Sequence, residues 1–321
     1  MRPQVRERTE SERYYQHPLS GEVLAFPEIG GEEEEDEARG ADRGKTGKDG
    51  GKQKRKEKGK RPRLSVVVPA FNEAARLPAM LTEALGHLAA SPSHVAAGFE
   101  LIVVDDGSRD DTAGVARRVA CDLRCHDHVR VMVLERNRGK GGAGMLVARG
   151  DLILFADADG ATKFADIDKL VAELETVSVN GFGVAVGSRA HMVKSAAVVK
   201  RSFIRNFLMY AFHTFLLLLG ISKIKDTQCG FKMFTRDSVR SIFPNMHVEG
   251  WIFDIEILLL ATWLNMPIVE VPVTWSEIDG SKVDLIKDSI KMAIDLITIR
   301  FYYAIGLWHI KKNSTGKTKK E

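Results

Sequence analysis

Apolar residues between positions 64 and 187 form short runs that alternate with longer amphipathic stretches. The short runs are rich in Val, Ile and Leu, as in strands that are buried on both faces of a sheet. They occupy residues 64–69, 100–104, 129–134, 152–155 and 183–187. Residues 74–90, between the first two runs, carry apolar side chains at the three- and four-residue spacing of a helix. This alternation predicts an α/β fold with a mostly parallel sheet flanked by helices in three layers.

Two further apolar segments follow, and polar residues interrupt both. Residues 203–221 are largely apolar, whereas residues 286–310 are amphipathic and include Lys291, Asp295 and Arg300. Neither segment is an uninterrupted apolar stretch of about 20 residues, the length that a membrane-spanning helix needs. Helices of the core and helices that lie in a membrane surface both fit this pattern.

Charge separates the N-terminal region from the rest of the chain. Residues 1–62 combine an acidic run at 32–37 with a basic run at 44–63, which is typical of disorder, although residues 14–27 are less polar and are expected to pack on the folded body. Residues 43–63 contain eleven Lys or Arg residues and only two acids. Their positive charge exceeds the net charge of the whole chain, which is +4, so the other residues together carry a net negative charge. The basic run could contact anionic lipid or RNA. It has no interleaved aromatic residues, so we favour a solvated linker and expect no nucleic-acid partner.

Length and cysteine content narrow the class of protein. The 321 residues, 44% of them hydrophobic, suffice for one large or two ordinary domains. The three cysteines, Cys121, Cys125 and Cys229, are too few and too irregular for a disulfide framework or a cysteine zinc site, which fits a reducing compartment. The N-terminus has no apolar stretch of the kind found in signal peptides.

The strand at 152–155 leads into two carboxylates one residue apart, Asp157 and Asp159, and Gly160 then permits a turn. Two hard oxygen ligands suit a Mg²⁺ or Mn²⁺ ion that also holds phosphate oxygens, and open α/β sheets bind ligands at this end of their strands. For such a pair taken alone, a solvated acidic turn is the alternative. Three other strand ends carry polar motifs that favour the metal site: Pro69-Ala-Phe-Asn-Glu73, Val104-Asp-Asp-Gly-Ser108 and Gly187-Ser-Arg189.

Together, and in this order on successive strands, the four motifs resemble the family 2 glycosyltransferases of GT-A fold, over about residues 64–308. Within that family, the motifs at 137–143, 156–164, 187–191 and 226–232 resemble the dolichyl-phosphate β-glucosyltransferases more than the related mannosyltransferases. The resemblance implies inverting transfer of glucose from UDP-glucose to dolichyl phosphate at the cytosolic face of the endoplasmic reticulum membrane. The product would be dolichyl β-D-glucosyl phosphate, which serves N-glycan assembly.

The resemblance also implies which residues bind the donor. The uridine part would be held by Pro69, Phe71, Glu73 and either Asp105 or Asp106. Asp157 and Asp159 would bind the diphosphate through the metal, and Ala156, Ala158 and Lys140 are grouped with them as donor-binding residues. Capping of a helix is the alternative role for Glu73 and Asp106.

The acceptor is expected to be bound by basic residues. A phosphate monoester is mostly dianionic at neutral pH, because its second pKa lies near ~6, so it needs positioning and charge balance rather than a general base. By resemblance, Arg189 and Arg201 would bind this phosphate, and Lys282 is a third candidate. Asp254 could lie near the reacting centre, and Asp226 could steady a loop or a sugar hydroxyl.

The glycine-rich run Gly139-Lys-Gly-Gly-Ala-Gly144 fits the G-x-G-x-x-G fingerprint of dinucleotide-binding proteins. It follows the third strand, however, whereas the fingerprint belongs to the strand that opens such a domain. We therefore interpret it as backbone near the phosphates or the sugar of the donor.

The predicted organisation has five parts. A disordered region at 1–62 precedes a GT-A domain at 63–285, which contains a membrane-interface helix at 203–221. An amphipathic membrane-associated helix at 286–310 and a basic tail at 311–321 follow. Helices of the membrane interface are favoured for an enzyme that acts on lipid.

Three features depart from the family pattern. The membrane-spanning helix with which the family usually begins is not predicted from this sequence, and Gly250 stands where arginine is common. The stretch between Ala143 and Arg149 is about three residues short. At 3.6 residues per turn, that difference rotates the residues after it by about 300° and puts a helix at 141–148 in question. The alternatives are therefore a transferase with another donor, such as GDP-mannose, and a non-catalytic membrane protein that binds nucleotide sugars.

Overall fold

The computed structural model of the chain describes residues 10–26, 61–142, 144–192, 224–278 and 285–311. The predicted segment 203–221, the predicted acceptor-binding residues Arg201 and Lys282, and the tail beyond residue 311 lie outside the described residues.

The described strands form one sheet. Their bounds are β1 Tyr14–Gln16, β2 Val23–Ala25, β3 Leu64–Ala70, β4 Phe99–Asp105, β5 Val129–Val133, β6 Leu152–Ala156, β7 Val184–Ser188, β8 Phe231–Thr235 and β9 Ile268–Pro272. Their order across the sheet is β2-β1-β5-β4-β3-β6-β8-β7-β9. The pairs β5–β4, β4–β3, β3–β6 and β7–β9 are parallel, whereas β8 runs antiparallel to both of its neighbours. The sheet is therefore mostly parallel in its central part, as predicted.

Helices cover both faces of this sheet. They are α1 Leu77–Ala90, α2 Pro92–Ala97, α3 Thr112–Asp122, α4 Ile167–Val177, α5 Arg236–Ile242, α6 Phe253–Trp263 and α7 Leu285–Ala304. One apolar cluster packs α1, α3 and α4 against one face, and a second packs α5, α6 and α7 against the other. All seven residues of β3 and all seven of β4 are buried between these clusters. Because both faces of these strands are covered, their sequences are mostly apolar without alternation.

Strand β8 has no counterpart in the sequence-based prediction. It inserts between β6 and β7, which therefore do not pair with each other. Its five residues are all buried, but Lys232 interrupts the apolar pattern. A strand of five residues with a lysine in second position gives no clear periodicity, and the burial of that lysine depends on its tertiary partner.

The prediction that residues 1–62 are disordered is wrong for residues 10–26. There, a 3₁₀ turn at Glu10–Arg13 leads into β1 and β2, and β1 pairs with the edge strand β5. The expectation that residues 14–27 pack on the body is confirmed, because Phe26 is buried in the core and contacts Tyr15. The Arg130 guanidinium lies 5.3 Å from the centre of the Tyr15 ring, a cation–π contact that fixes the segment to β5.

The described residues of the stretch 141–148, which leave out Ala143, do not form the helix that the sequence put in question. Lys140–Gly142 and Met145–Val147 are single 3₁₀ turns instead. Three glycines, at 141, 142 and 144, lie in this stretch, and glycine disfavours a helix because it loses the most backbone entropy on folding.

The amphipathic C-terminal helix is present as α7. Leu296 and Ile299 are buried against the body, whereas other apolar residues of the same helix are exposed. Among the described residues, no helix combines the length and the hydrophobicity needed to cross a membrane.

Candidate functional site

The carboxyl ends of β3, β4 and β6 meet at one rim of the sheet, where the predicted site residues lie. Asp105 is the last residue of β4, and Asp157 follows β6 directly. Gly160 turns the chain with a φ of +72°, a conformation that glycine adopts without steric cost. The parallel register of these neighbours brings three motifs that are far apart in sequence to one place.

Asp157 is held by the chain segment before β8. Its backbone N–H donates to the Gly230 carbonyl at 3.0 Å, and its carboxylate lies directly against Gly230. Oδ1 of Asp157 is buried, makes no hydrogen bond of normal geometry, and lies 2.5 Å from Nζ of Lys140. The carboxylate is thus balanced by a cation and keeps an oxygen that no hydrogen bond of normal geometry engages.

Asp159 lies two residues further along the same turn and is more engaged. Its Oδ1 accepts a hydrogen bond from the Ala161 N–H at 3.0 Å. Its Oδ2 lies 4.0 Å from Nη1 of Arg76. Both aspartate side chains are a little more than a quarter exposed, with 28% for Asp157 and 29% for Asp159, so they are accessible to a ligand.

Lys140 connects the glycine-rich loop to the carboxylates. Burial opposes its charge, but the carboxylates of Asp157, Asp254 and Asp159 outweigh that effect and raise its pKa above the ordinary value. The ammonium therefore stays charged at neutral pH beside Asp157. Lys140 thus lies beside Asp157, and its role in binding the donor stays a prediction.

The two aspartates fit a divalent cation. They offer hard oxygen ligands from one tight turn, which is the donor chemistry that Mg²⁺ and Mn²⁺ prefer. The position of the pair directly after β6, at the carboxyl end of the strands, agrees with this chemistry, and the Asp157 Oδ1 that would face the ion is paired with the Lys140 ammonium at 2.5 Å. Asp157 and Asp159 are the residues that would hold the ion.

Glu73 and Arg76 form a pair that the sequence analysis did not single out. Glu73 is buried, and its two carboxylate oxygens accept hydrogen bonds from Nη2 and Nε of Arg76 at 2.6 and 2.7 Å. The hydrogen bonds to Glu73 raise the pKa of Arg76 against the effect of burial. Arg76 thus lies between Glu73 and Asp159. The three-residue spacing of Glu73 and Arg76, in the turn before α1, is the only feature of the sequence that indicates this pair.

Asp105 and Asp106 have different roles. Asp105 accepts a hydrogen bond from the Ser108 N–H at 2.9 Å through Oδ1. Asp106 uses both carboxylate oxygens to hold the next loop, accepting from the N–H groups of Arg138 and Gly139 at 2.8 and 2.9 Å. Burial raises the pKa of Asp106 to about 6, although these two hydrogen bonds act in the opposite direction. Asp106 therefore holds the glycine-rich loop and Asp105 holds the turn at Ser108, while the choice between them as the donor-binding residue stays a prediction.

The loop that Asp106 holds is the glycine-rich run. Gly139 has a φ of +90°, and a β-carbon there would lie 2.5 Å from the Glu249 carbonyl oxygen. The 3₁₀ turns that follow it do not provide the long helix whose N-terminus binds a pyrophosphate in dinucleotide folds. That dinucleotides are not bound here stays a prediction.

Arg189, at the end of β7, is oriented by Asp226. Its Nε and Nη2 donate to the two oxygens of Asp226 at 2.7 and 2.9 Å, and its backbone N–H donates to the same carboxylate. These hydrogen bonds raise the pKa of Arg189 and, against burial, lower that of Asp226. The guanidinium also lies 5.4 Å from the centre of the Trp275 ring. Asp226 thus fixes an arginine, a role that the sequence left open.

Asp254 is the buried partner of a lysine. Its Oδ1 accepts a hydrogen bond from Nζ of Lys232 at 2.6 Å, and Lys232 also donates to the Cys229 carbonyl. The Lys232 side chain has no exposed surface. The charge of Asp254 reaches Lys140, whose pKa it helps to raise. Asp254 therefore lies beside the site, while a direct part in the reaction stays a prediction.

The remaining predicted residues divide into two groups. Pro69 in β3, Ala156 in β6 and Ala158 between the aspartates are buried or nearly so, and Phe71 directly after β3 is half-buried. They form the wall behind the charged groups. A shallow recess beside Asp157 is lined by Met80, Glu83, Ala156, Thr162, Phe164 and Phe231.

Comparisons with known proteins agree with this arrangement. The sequence model described as "Glycosyl transferase family 2" matches residues 65–243. A dolichyl-phosphate β-glucosyltransferase of Dictyostelium discoideum is 49% identical over 252 residues, which are 77% of this chain and 77% of that protein. The corresponding protein of Saccharomyces cerevisiae is 46% identical over 261 residues, which are 78% of this chain and 77% of that protein.

A solved structure is similar at the level of the fold. It is glucosyl-3-phosphoglycerate synthase from Mycobacterium tuberculosis in complex with Mn²⁺ and UDP-glucose, which superimposes with a TM-score of 0.53 at 18% identity. The match covers 80% of this chain and 82% of that one.

Proposed function

We propose the reaction from the premise that this chain belongs to glycosyl transferase family 2 and, within it, to the dolichyl-phosphate β-glucosyltransferases. The predicted GT-A fold and the predicted enzyme class, a glycosyltransferase, are confirmed by that membership. The proposed reaction is the transfer of glucose from UDP-glucose to dolichyl phosphate with inversion at the anomeric carbon. The product, dolichyl β-D-glucosyl phosphate, would serve N-glycan assembly.

In the proposed step, a phosphate oxygen of dolichyl phosphate attacks C1 of the glucose. The bond between C1 and the β-phosphate oxygen of UDP breaks as the new C1–O bond forms, and UDP leaves with the electron pair. The acceptor phosphate is already a dianion at neutral pH, so no proton has to be removed. The protein must supply alignment of two anions and stabilisation of the charge that grows on the leaving diphosphate.

The observation that carries the proposal is the meeting of acidic and basic groups at one rim. Asp157 and Asp159 form the acidic side, and Lys140 lies 2.5 Å from Asp157. Arg189 is on the basic side, and its raised pKa includes a contribution from the charge of Asp157, so the two lie within electrostatic range. A site that has to hold a diphosphate and a second phosphate together needs this combination of groups.

Each group then has a defined task. Lys140 and Arg189 balance the charge of the two phosphates, and Asp226 holds the Arg189 fork in a fixed orientation. Glu73 and Asp105 are candidates for hydrogen bonds to the uridine, because a carboxylate accepts from a nucleobase N–H. Arg76 connects these proposed uridine-binding groups to the proposed metal ligands, because it pairs with Glu73 and lies 4.0 Å from Asp159.

Asp157 and Asp159 are proposed to hold a Mg²⁺ or Mn²⁺ ion together with the donor diphosphate. Such an ion, when bound, neutralises the negative charge that develops on the leaving UDP. The complex of the similar M. tuberculosis enzyme with Mn²⁺ and UDP-glucose supports this choice of donor and of metal class.

A place at the cytosolic face of the endoplasmic reticulum membrane is part of the proposal. It is supported by an exposed apolar stripe, which we call the α7 stripe and which consists of Ile290, Ile294, Ile297 and Phe301 of α7 together with Ile305 directly after the helix. Each of these side chains is more than half exposed. They recur every three or four residues and so share one side of the helix, as in helices that lie in the interface of a bilayer.

The experiment that tests the proposal is transfer of labelled sugar to dolichyl phosphate by the purified full chain in detergent. UDP-glucose and GDP-mannose are offered in parallel, each with and without EDTA. We expect transfer of glucose that EDTA abolishes. Transfer of mannose instead would contradict the donor, and glucose transfer that survives EDTA would contradict the metal.

A further inference from the structure

Two histidines and an aspartate converge at a second place, on the far half of α1. His87 lies near the end of α1, His94 lies in α2, and Asp168 lies in the first turn of α4. His87 is eleven residues beyond Arg76, which at 1.5 Å per residue is about 16 Å along the helix axis from the donor site. Neither the proposed reaction nor the family comparison uses these three residues.

Their ligand atoms point at one another. Nε2 of His87 lies 3.1 Å from Oδ2 of Asp168, and Nε2 of His94 lies 2.8 Å from Oδ1 of the same carboxylate. One nitrogen of each histidine and one oxygen of the aspartate all lie within 4.8 Å of one another. Ligands of a tetrahedral ion with bonds of about 2.0–2.2 Å are roughly 3.4 Å apart, so small side-chain rotations suffice to close the set.

Two of the three elements, α1 and α4, are also held together by contacts other than the histidine–aspartate hydrogen bonds. Oε1 of Glu83 in α1 accepts a hydrogen bond at 2.8 Å from the N–H of Phe164, which opens the turn before α4. The Phe164 ring packs edge-on to the His87 ring with centres 6.0 Å apart. The relation of His87 to Asp168 is therefore built by packing and does not need an ion to create it.

The cluster can be reached from solvent. The Asp168 side chain is 55% exposed, whereas those of His87 and His94 are 24% and 13% exposed. This combination of two partly shielded imidazoles and an open carboxylate would let an ion enter and would limit competition by bulk water for the nitrogen ligands.

We infer that His87, His94 and Asp168 form a binding site for a borderline transition-metal ion, with Zn²⁺ as the best match, that joins α1, α2 and α4. Two imidazole nitrogens and one carboxylate oxygen are ligands that favour Zn²⁺ over Mg²⁺ or Ca²⁺. Three protein ligands leave one position for water. The ion acts as a cross-link in the fold and is separate from the cation that Asp157 and Asp159 would hold.

Binding has a defined proton requirement. In the hydrogen-bonded state each Nε2 carries the proton that it donates to Asp168. Coordination needs a bare Nε2, so each neutral ring moves its proton to Nδ1, and a charged ring releases one proton. Affinity should therefore fall at acid pH, because protons compete with the ion for the same nitrogen atoms.

A looser arrangement of the same residue types provides the control. His17 and His126 lie 3.7 and 3.8 Å from the carboxylate of Asp127, and their ring centres are 6.1 Å apart. This trio is more open, since the Asp127 side chain is 81% exposed. The substitution His126→Gln thus removes a surface histidine of similar chemistry without touching the proposed site.

The test uses the full chain in detergent, freed of metal, without nucleotide. Zn²⁺ binding is measured by calorimetry, Co²⁺ is used as a spectroscopic probe, and thermal unfolding is followed with and without Zn²⁺. The variants are His87→Gln, His94→Gln and Asp168→Asn, with His126→Gln as control. We expect one Zn²⁺ per chain, a visible Co²⁺ spectrum of low-symmetry nitrogen coordination, and a rise in Tm on the order of 5 °C at saturating Zn²⁺.

Each of the three variants should weaken Zn²⁺ binding by roughly 100-fold or more and remove the rise in Tm, whereas His126→Gln should keep both. Binding that survives all three substitutions, or that is lost in His126→Gln, would overturn the assignment. The same holds if the wild-type chain binds no Zn²⁺, because the trio is then only a hydrogen-bonded cluster. Glucose transfer plays no part in these readouts, so the result does not depend on the proposed reaction.

Discussion

Gly230 lies against the carboxylate of Asp157 so closely that a β-carbon at position 230 would be 2.0 Å from Oδ2. The Asp157 N–H donates to the carbonyl of the same glycine. The absence of a side chain at 230 therefore determines where Asp157, the first of the two proposed metal ligands, can point.

The first prediction concerns this contact. In Gly230→Ala the new methyl group forces the Asp157 carboxylate to rotate away from its position. We expect kcat/KM for glucose transfer to fall about 10- to 100-fold, because a displacement of about 1 Å at a reacting centre has effects of this size. Kinetics of the purified variant measure the effect.

A second glycine provides the matched control. Gly86 lies in α1, and a β-carbon there would meet no atom within 4 Å. Gly86→Ala should keep full activity and unfold with a free energy about 0.5–1 kcal/mol higher, as expected for alanine in a helix interior. Equal activity of Gly230→Ala and Gly86→Ala would show that the Asp157 position does not matter.

The buried pair Lys232–Asp254 gives a prediction about stability. Lys232→Met leaves the Asp254 carboxylate buried without its cation, since the lysine is fully enclosed and lies 2.6 Å from Oδ1. We expect the free energy of unfolding to fall by about 3–5 kcal/mol, and the double variant Lys232→Met, Asp254→Leu to recover part of it. Urea unfolding provides the measurement.

An exposed pair is the control for that loss. Arg118 and Asp111 lie 2.7 Å apart, and both side chains are 62% exposed. Arg118→Gln should cost no more than about 1 kcal/mol, because solvent screens such pairs. A Lys232→Met variant as stable as Arg118→Gln would contradict the assigned burial of the charge.

Asp106 gives a prediction about pH. Its pKa is raised to about 6 in the folded state from an ordinary value of 3.8. Between pH values of about 4 and 6, the folded chain therefore binds more protons than the unfolded chain. Asp106 thus lowers the free energy of unfolding as the pH rises through this range. The decrease is at most about 1.4 kcal/mol per pH unit. Asp106→Asn removes that contribution.

The difference in the free energy of unfolding between the wild type and Asp106→Asn isolates the contribution of Asp106. We expect the variant to gain stability relative to the wild type as the pH is raised from 4 to 6, and the difference to stay constant above about pH 7. The free energy of unfolding of both proteins is measured by urea unfolding at each pH. If the two free energies differed by the same amount at every pH, a raised pKa at Asp106 would be excluded.

The α7 stripe gives a prediction about lipid. The double substitution Ile297→Glu, Phe301→Glu places two charges on exposed apolar positions of α7. We expect binding to vesicles of phosphatidylcholine and anionic lipid to fall at least tenfold in a flotation assay, because charges disfavour insertion into the interface. Val95→Glu, at another residue that is 56% exposed, should have no effect. Equal loss in Val95→Glu would show that the stripe has no special role.

The strands and the donor rim could be predicted because their signals are local. Five apolar runs gave the parallel core, and Asp105, Asp157 and Glu73 follow strands whose carboxyl ends necessarily meet. The resemblance to a known family supplied residue roles that spacing alone does not indicate, such as the predicted binding of the acceptor phosphate by Arg189. The structure adds that Asp226 fixes this arginine.

Other features depend on partners far away in the chain. Strand β8 was missed because Lys232 breaks its pattern, and Asp254, its partner, is 22 residues distant. The N-terminal strands were missed because a short segment with few apolar residues is stabilised by Arg130 and by the edge of β5. The pairing of Arg76 with both Glu73 and Asp159 requires knowledge of how β3 and β6 lie side by side.

The central claim is that Asp157 acts in glucose transfer at the rim of the sheet. Its most direct test compares Asp157→Asn with Asp151→Asn, at an exposed aspartate that lies directly before β6 and pairs with Arg236. At saturating UDP-glucose and dolichyl phosphate, with Mg²⁺ or Mn²⁺, we expect Asp157→Asn to lose about 100-fold or more in kcat. Asp151→Asn should turn over like the wild type. Wild-type turnover by Asp157→Asn would contradict the account.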